Sequence, residues 1–551
     1  MPREHADMRA FFYPAAVAVF GVSEEPRNLA RNIIHNCRSM GFEGDLYPVG
    51  KKPGEVQGMP ILTDPEDLPR GVDLAVVLVP APRVPEVFDA CGRKGIRHAV
   101  VSTGGFREYE GAESRVEREV LSVASRHGIR FIGPNCIGVI STGSGLCTPF
   151  NPLDTGRFQK GPVGVISQSG GVTTQAAYTF SDEHVGFSNI ISAGNKLDID
   201  EIDLLSFLLQ DEETEQVHLY LESIERGRDF LRLVREAPKP VVLLKANVGR
   251  TASAVARSHT AALFNDDRVV QAAVRQVGVV RVETIHDMTV AAKALTLPAL
   301  RGNRLAAVSF SGGFSVILAD ACEREGFVCP PLPRDLVRKI EGYRRGGVIR
   351  MSNPMDLGDV HDPMGVVFAL EACLGLDSID GMALSMIYDE QMSRLFGGRG
   401  ASKEQILSFA AGLSERFEKP VALSFFTEKR HVEDFKALGK YPVFNDAVES
   451  VRALRMLRDG GVRGVQEHKA VCERFCVGET LMRDIFLRFA RSDIVSPRAA
   501  VFCPPASVPS SKKNGGSRET PRPNVSVRWN RRAVGWRVGA GSPAGARRCG
   551  M

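Results

Sequence analysis

Short apolar runs that end in glycine or serine and lead into helix-like stretches recur along this chain, and that alternation leaves few folds open. Such runs are expected at 17–22, 45–49, 74–80, 98–102 and 130–132, then at 163–167, 187–192, 217–222 and 240–245, and again at 305–310, 381–387 and 420–425. Helical periodicity fills gaps at 28–40, 85–94, 113–127, 313–324, 403–417 and 447–457. Alternating strand, turn and amphipathic helix predicts parallel sheets with crossover helices. A single core does not serve a chain of 551 residues. The runs fall into three blocks, so the expected fold class is α/β with three doubly wound domains, at 8–150, 151–299 and 300–465. The joins at 152–162 and 298–303 are short and marked by proline or glycine, which predicts packed domains.

The alternation fades after about residue 465. The net charge of +5 is misleading as a whole-chain figure, because residues 511–551 hold ten Lys or Arg against the single acid Glu519. That segment carries +9, and residues 1–510 sum to −4, so the body offers no electrostatic case for nucleic acid. The Pro-, Ser- and Arg-rich composition of 466–551 fits a basic, largely disordered tail, and equally a shifted reading frame. No apolar run approaches the ~20 residues of a membrane span. Eleven cysteines without a paired metal spacing fit a reducing, cytoplasmic compartment, with burial as their ordinary role.

Several loops fall at the carboxyl ends of expected strands, where open parallel sheets bind ligands. In the first block these are Gly21-Val22-Ser23, Pro80-Ala81-Pro82, Ser102-Thr103-Gly104-Gly105-Phe106 and Gly133-Pro134-Asn135-Cys136, which together point to a nucleotide-like ligand. The G-x-G-x-x-G fingerprint is absent, which argues against a nicotinamide-dependent oxidoreductase. Ser167-Gln168-Ser169-Gly170-Gly171 and Ser309-Phe310-Ser311-Gly312-Gly313 each open a helix, where free amides and the helix dipole favour an anion. Strand–glycine–helix turns are common in any α/β fold, and Ser169 also suits an ordinary N-cap. Glu222 ends a strand where a buried acid needs a partner; it either holds the Nδ1–H of His259, faces solvent, or pairs with Arg226 or Arg228. His259 lies in a small-residue segment at 248–263, outside any expected core.

These motifs in combination resemble a known family. Gly-Pro-Asn-Cys-Ile-Gly (133–138), Ser-Gln-Ser-Gly-Gly (167–171), Ser-Ala-Gly-Asn (192–195), Tyr-Leu-Glu (220–222), Ser-His-Thr (258–260) and Asn-Pro-Met-Asp-Leu (353–357) are similar to the α part of NDP-forming acyl-CoA synthetases. The resemblance covers roughly residues 8–460 and implies a Rossmann-like CoA-binding domain followed by two flavodoxin-like succinyl-CoA-ligase domains. It implies the reaction acid + CoA + NTP ⇌ acyl-CoA + NDP + phosphate, through an acyl phosphate and a phosphohistidine. It assigns phosphorylation to His259 and its orientation to Glu222, and phosphate binding to Ser169, Gly170, Gly312 and Gly313. It assigns coenzyme A to Gly21, Ser23, Lys52, Pro80, Gly104, Phe106 and Asn135, and gives the chain itself no metal site.

Two departures stand out. Ala261 replaces the glycine usual after Ser-His-Thr, with Arg257 before the motif, and no ATP-grasp pattern follows residue 460. The resemblance therefore implies that ATP or ADP and Mg2+ reach the reaction through an ATP-grasp β subunit in a hetero-oligomer, with a small carboxylic acid as co-substrate. It implies neither a nucleic-acid nor a membrane partner. The competing expectation is a CoA-binding regulatory or scaffold protein that keeps the fold without turnover.

Overall fold

The computed structural model describes residues 8–106, 115–249, 266–344, 346, 350–360, 362–389 and 401–460. His259 and the expected tail at 466–551 lie outside the described residues. The first sheet uses β1 (Ala16–Phe20) and β2 (Asp45–Val49), then, beyond a small hairpin of β3 (Glu55–Val56) and β4 (Met59–Pro60), β5 (Leu74–Val77), β6 (His98–Val101) and β7 (Arg130–Ile132). Its order is β2-β1-β5-β6-β7, and every pairing is parallel.

The second sheet contains β8 (Val139–Ser141), β9 (Leu146–Cys147), β10 (Lys160–Ser167), β11 (Phe187–Ser192), β12 (Gln216–Leu221), β13 (Val241–Lys245) and β14 (Val280–Val282), in the order β14-β13-β12-β10-β11-β8-β9. It is parallel except for β8 and β9, which add antiparallel strands at one edge. The third joins β15 (Leu305–Ser309), β16 (Met355–Asp356), β17 (Gly381–Ile387), β18 (Val421–Phe426) and β19 (Val443–Phe444) in the parallel order β16-β15-β17-β18-β19. The fold is thus the expected α/β class, with three doubly wound sheets. The central strands are buried along their length, as parallel strands covered by helices on both faces must be. The sequence reading has no counterpart for β8, β9, β14, β16 and β19, each only two or three residues long.

Capping side chains set several helix starts. Asn28 caps helix Leu29–Ser39, and capping boxes at Asp200/Asp203, Thr284/Asp287 and Ser402/Gln405 open three others. The seven described cysteines are free thiols, six of them buried. Among the described residues no helix is long and apolar enough to cross a membrane.

Polar side chains join the sheets. Wholly buried Asn36 donates to the carbonyls of Pro149 and Asn151 (both 2.8 Å) and accepts from the Leu153 amide (3.2 Å), pinning helix Leu29–Ser39 to the β9–β10 connection of the second sheet. Residues 195–199 run beside β7: the amides of Asn195, Leu197 and Ile199 donate to the carbonyls of Pro134, Gly133 and Phe131. Asp198 adds its carboxylate to Arg130 Nε (2.9 Å) and the Phe131 amide (2.9 Å).

The second and third sheets meet through a mostly buried charge cluster. Glu183, just beyond helix Gly170–Asp182, contacts Lys293 (2.8 Å) and Lys436 (3.0 Å). Glu449 takes His286 Nε2 (2.8 Å), and the Asn445 amide donates to both Glu183 and Glu449. The Glu449 carboxyl is held down to about 2: the His286 hydrogen bond, Lys293 and Asn445 outweigh the opposing effect of burial. His286 is shifted upward, first by its hydrogen bond to Glu449.

A depressed carboxyl stabilises the fold above its ordinary value near 4.5, and that contribution is lost as pH falls toward about 2. The raised His286 works in the other sense, stabilising at low pH and losing its contribution as pH rises through its folded value. Acid unfolding followed by circular dichroism is therefore expected to be less steep between pH 4.5 and 2 in Glu449→Gln than in the parent chain. Lys436→Met leaves Glu183 and Glu433 short of a buried cation, and urea titration is expected to show a loss of roughly 3–5 kcal/mol.

Candidate functional site

The first sheet brings most of the expected CoA residues to one edge. Gly21 and Ser23 follow β1, Lys52 follows β2, Pro80 follows β5, Gly104 and Phe106 follow β6, and Asn135 follows β7. Because these strands are parallel, all five loops lie at their carboxyl ends. The strand order reverses between β1 and β5, which is where doubly wound sheets open a ligand crevice. Gly21 sits there with φ +98°, and a Cβ would overlap the Leu78 carbonyl oxygen, so the two loops approach closely only with glycine.

Hydrogen bonds tie these loops into one surface. Thr103 Oγ1 donates to the Val79 carbonyl (2.8 Å) and accepts from its amide (3.2 Å), while the Thr103 carbonyl takes the Asn135 amide (2.9 Å). Asn135, at φ +57°, donates through Nδ2 to Asn195 Oδ1 of the second domain (3.3 Å). Lys52, Pro80 and Gly104 are exposed and Ser23 is half-buried, all suited to ligand contact. The Phe106 ring corrects the sequence expectation: it is fully buried in the core around β5 and β6, so the ring itself does not line the edge. The resemblance assigns Phe106 to the CoA site, whereas here its ring closes the core.

At the second sheet, β10 delivers Ser167-Gln168-Ser169 to the start of helix Gly170–Asp182. Ser167 Oγ donates to the Ser169 carbonyl (2.8 Å) and accepts the Ser169 amide (3.2 Å). Ser169 occupies the N-cap position, yet its hydroxyl makes no capping bond. First-turn amides of a helix lack intrahelical partners, so this start combines those donors with a hydroxyl not used in capping. The nearest described atoms to a Cβ at Gly170 belong to Ile137, from the Gly-Pro-Asn-Cys-Ile-Gly segment.

The third sheet repeats the circuit. Ser309 Oγ donates to the Ser311 carbonyl (2.8 Å) and accepts its amide (3.4 Å), and Ser311 likewise makes no capping bond. The two starts differ in their neighbours, because the mostly buried carboxylate of Asp356 lies against Gly312. Asp356 belongs to the Asn-Pro-Met-Asp-Leu segment, whose Asn353 side chain bonds the Ala307 amide (3.0 Å) and the Leu305 carbonyl (2.8 Å). A carboxylate suits a helix N-terminus and disfavours a second anion there.

Glu222 follows β12 directly, half-buried at the carboxyl edge. Side chains hold its backbone: Gln168 Oε1 accepts its amide (3.0 Å), while Lys245 Nζ (2.8 Å) and Asn247 Nδ2 (3.3 Å) donate to its carbonyl. Arg226, an alternative partner in the sequence reading, pairs with Asp200 (3.1 Å) and Asp229 (3.1 Å). Burial pushes the Lys245 ammonium down to about 8. The chain leaving β13 passes Glu222 at Lys245–Asn247, three residues before the segment 250–265 that carries His259. Gln168, Lys196, Ser223, Lys245 and Asn247 escaped the sequence reading as site residues, although Gln168 sits inside the Ser-Gln-Ser-Gly-Gly motif it singled out.

The family model of the CoA binding domain matches residues 15–142, and that of the succinyl-CoA ligase like flavodoxin domain matches 160–295. The α subunit of acetate–CoA ligase [ADP-forming] I from Pyrococcus furiosus is 36% identical over 463 residues, covering 81% of this chain and 97% of the relative. Acetate–CoA ligase [ADP-forming] II from Archaeoglobus fulgidus is 31% identical over 469 residues, covering 84% of this chain but 68% of the relative. Among solved structures, acetyl-coenzyme A synthetase 1 from Ca. Korarchaeum cryptofilum, in complex with phosphate and ADP, superposes with a TM-score of 0.72 at 27% identity, covering 82% of this chain and 97% of that one. The sheet order, the loops at the carboxyl edges and these likenesses agree: the chain belongs to the ADP-forming acetate–CoA ligases, within the NDP-forming acyl-CoA synthetases.

Proposed function

We propose that this chain is the α-type part of an NDP-forming acyl-CoA synthetase that interconverts a small carboxylic acid and its CoA thioester. In the acyl-CoA-consuming direction, a phosphate oxygen attacks the thioester carbonyl and the CoA thiolate leaves, giving an acyl phosphate. His259 Nε2 then attacks the phosphorus and the carboxylate leaves. The phosphoryl group finally passes from His259 to a nucleoside diphosphate, regenerating the imidazole. Synthesis of the thioester is the same sequence reversed.

Each residue has a role in this reading. Glu222 accepts the Nδ1–H of His259 and holds the tautomer in which Nε2 is the nucleophile. Ser169 and Gly170 donate to the phosphoryl oxygens, with Gly312 and Gly313 as a second set of amides. The loops carrying Gly21, Ser23, Lys52, Pro80, Gly104 and Asn135 hold CoA. The observation that carries the reading is the anchored Glu222 turn, beside an uncapped helix start and next to the chain entering the His259 segment. Nucleotide exchange is assigned to an ATP-grasp unit with its Mg2+, because the likeness spans nearly all of an α subunit but only 68% of a longer relative.

Incubating the full chain with acetyl-CoA and radiolabelled phosphate is expected to give an acid-labile phosphoprotein that His259→Ala lacks. Glu222→Gln is expected to slow labelling at least about 100-fold. Normal CoA binding without label in the parent chain would instead support the regulatory reading. Adding an ATP-grasp partner with ADP is expected to discharge the label into ATP.

Gly194 supplies a separate test of the CoA edge. It adopts φ +58°, and a Cβ there would overlap the Pro134 carbonyl oxygen. Gly194→Ala is expected to lower stability by about 1–3 kcal/mol in denaturant titration and to weaken CoA binding measured by calorimetry, as the Gly133–Asn135 loop is displaced.

A further inference from the structure

We infer that Lys196 is a positioning residue for Glu222, acting through Ser223 and Gln168; the inference rests on the proposed role of Glu222 beside His259. Lys196 is almost wholly buried, with backbone φ +54°. Its ammonium donates to the Ser223 carbonyl (3.1 Å) and Ser223 Oγ (3.3 Å) and forms an ion pair with the Glu201 carboxylate (2.9 Å). Glu201 is equally buried, and Lys196 is its one ion-pair partner among the described residues.

The backbone around Lys196 is fixed from the opposite side. The Asn195 and Leu197 amides are bonded to the Pro134 and Gly133 carbonyls of the first domain (2.9 and 3.0 Å). Lys196 therefore reaches from a segment anchored on the CoA edge to the turn that carries Glu222. At that turn all four backbone polar groups of Glu222 and Ser223 are bonded by side chains. Gln168 Oε1 takes both amides (3.0 and 3.2 Å), Lys245 and Asn247 take the Glu222 carbonyl, and Lys196 takes the Ser223 carbonyl. Gln168 Nε2 also reaches Ser223 Oγ (3.4 Å), so Lys196 and Gln168 share that hydroxyl.

A buried charge pair is a poor device for stability alone, since apolar residues of similar volume often serve as well. Here the pair is aimed at the backbone of one dipeptide, and what it sets is the direction in which Glu222 leaves the sheet edge. An ordinary structural pair would affect folding. A positioning residue affects the chemical step that needs Glu222 and has no further effect once that carboxylate is removed.

The test is a cycle on the full chain, read as the rate of acid-labile labelling from acetyl-CoA and radiolabelled phosphate, with CoA affinity measured in parallel. Lys196→Met/Glu201→Leu removes both charges together and leaves neither unpaired. It is expected to slow labelling roughly 10- to 100-fold while leaving CoA affinity within about twofold, and to add no slowing on top of Glu222→Gln. Slowing that multiplies with Glu222→Gln, or a rate equal to that of the parent chain, overturns the inference while leaving the role of Glu222 intact. Parent-like labelling by Glu222→Gln itself overturns the underlying reading and this inference with it. If the double substitution does not bind CoA, Ser223→Ala provides the same cycle, with an expected slowing of about 3- to 10-fold that again vanishes in the Glu222→Gln background.

Discussion

The segment 193–199 holds the working surfaces of this protein in register. Its amides extend the edge of the first sheet alongside β7, and Asp198 binds both a side chain and a backbone amide of that strand. From the same seven residues, Asn195 reaches Asn135 on the CoA edge and Lys196 reaches Ser223 at the Glu222 turn. Gly194 packs so closely on Pro134 that no side chain fits between them. The proposed transfer of an acyl group from sulfur to phosphate needs its thiol and phosphate sites held at a fixed separation. Direct hydrogen bonds within one short segment provide that more rigidly than a hinge between domains.

The two helix starts are built alike and are not equivalent. Each uses a serine at the strand end to bind the carbonyl and amide of the serine two residues on, leaving the second serine in the cap position without a capping bond. At Gly170 the neighbour is the apolar Ile137, whereas at Gly312 it is the Asp356 carboxylate. The same local sequence thus meets an apolar side chain at one helix start and a carboxylate at the next. The dominant anion seat is accordingly expected at Ser169–Gly170.

Much of the fold was legible because buried parallel strands leave a plain trace. The run at 381–387 coincides with β17, since helices on both faces require nearly continuous apolar sequence, and the run at 187–192 coincides with β11 although Ser188, Asn189 and Ser192 are polar. Strands such as β16 and β19 leave no comparable trace: two residues show no periodicity, and their pairing is decided by what lies beside them. The loops facing the site were legible for a similar reason, since glycine and serine at strand ends mark where backbone amides are needed. The ring of Phe106, which the resemblance places at CoA, turns into the core, and a shared motif does not say which way a ring turns. Lys196 and Asp198 were silent because each acts on residues 27 to 68 positions away, and nothing local distinguishes such a lysine from a surface one, while Gln168 stood inside a motif read for its serines and glycines.

The charge cluster between the second and third sheets bears on how these domains can be exchanged between proteins. Glu183, His286 and Lys293 come from one side, and Lys436, Asn445 and Glu449 from the other. Each side keeps some partners of its own, Lys293 for Glu183 and Glu433 for Lys436, but Glu449 takes both its cations, His286 and Lys293, from the facing side, so the two surfaces act as a matched lock. Recombination that imports one domain without the other brings mismatched buried charges into contact, whereas importing both keeps the lock whole. The second and third domains are thereby constrained to be inherited, permuted or grafted as a pair, whatever order the surrounding modules take.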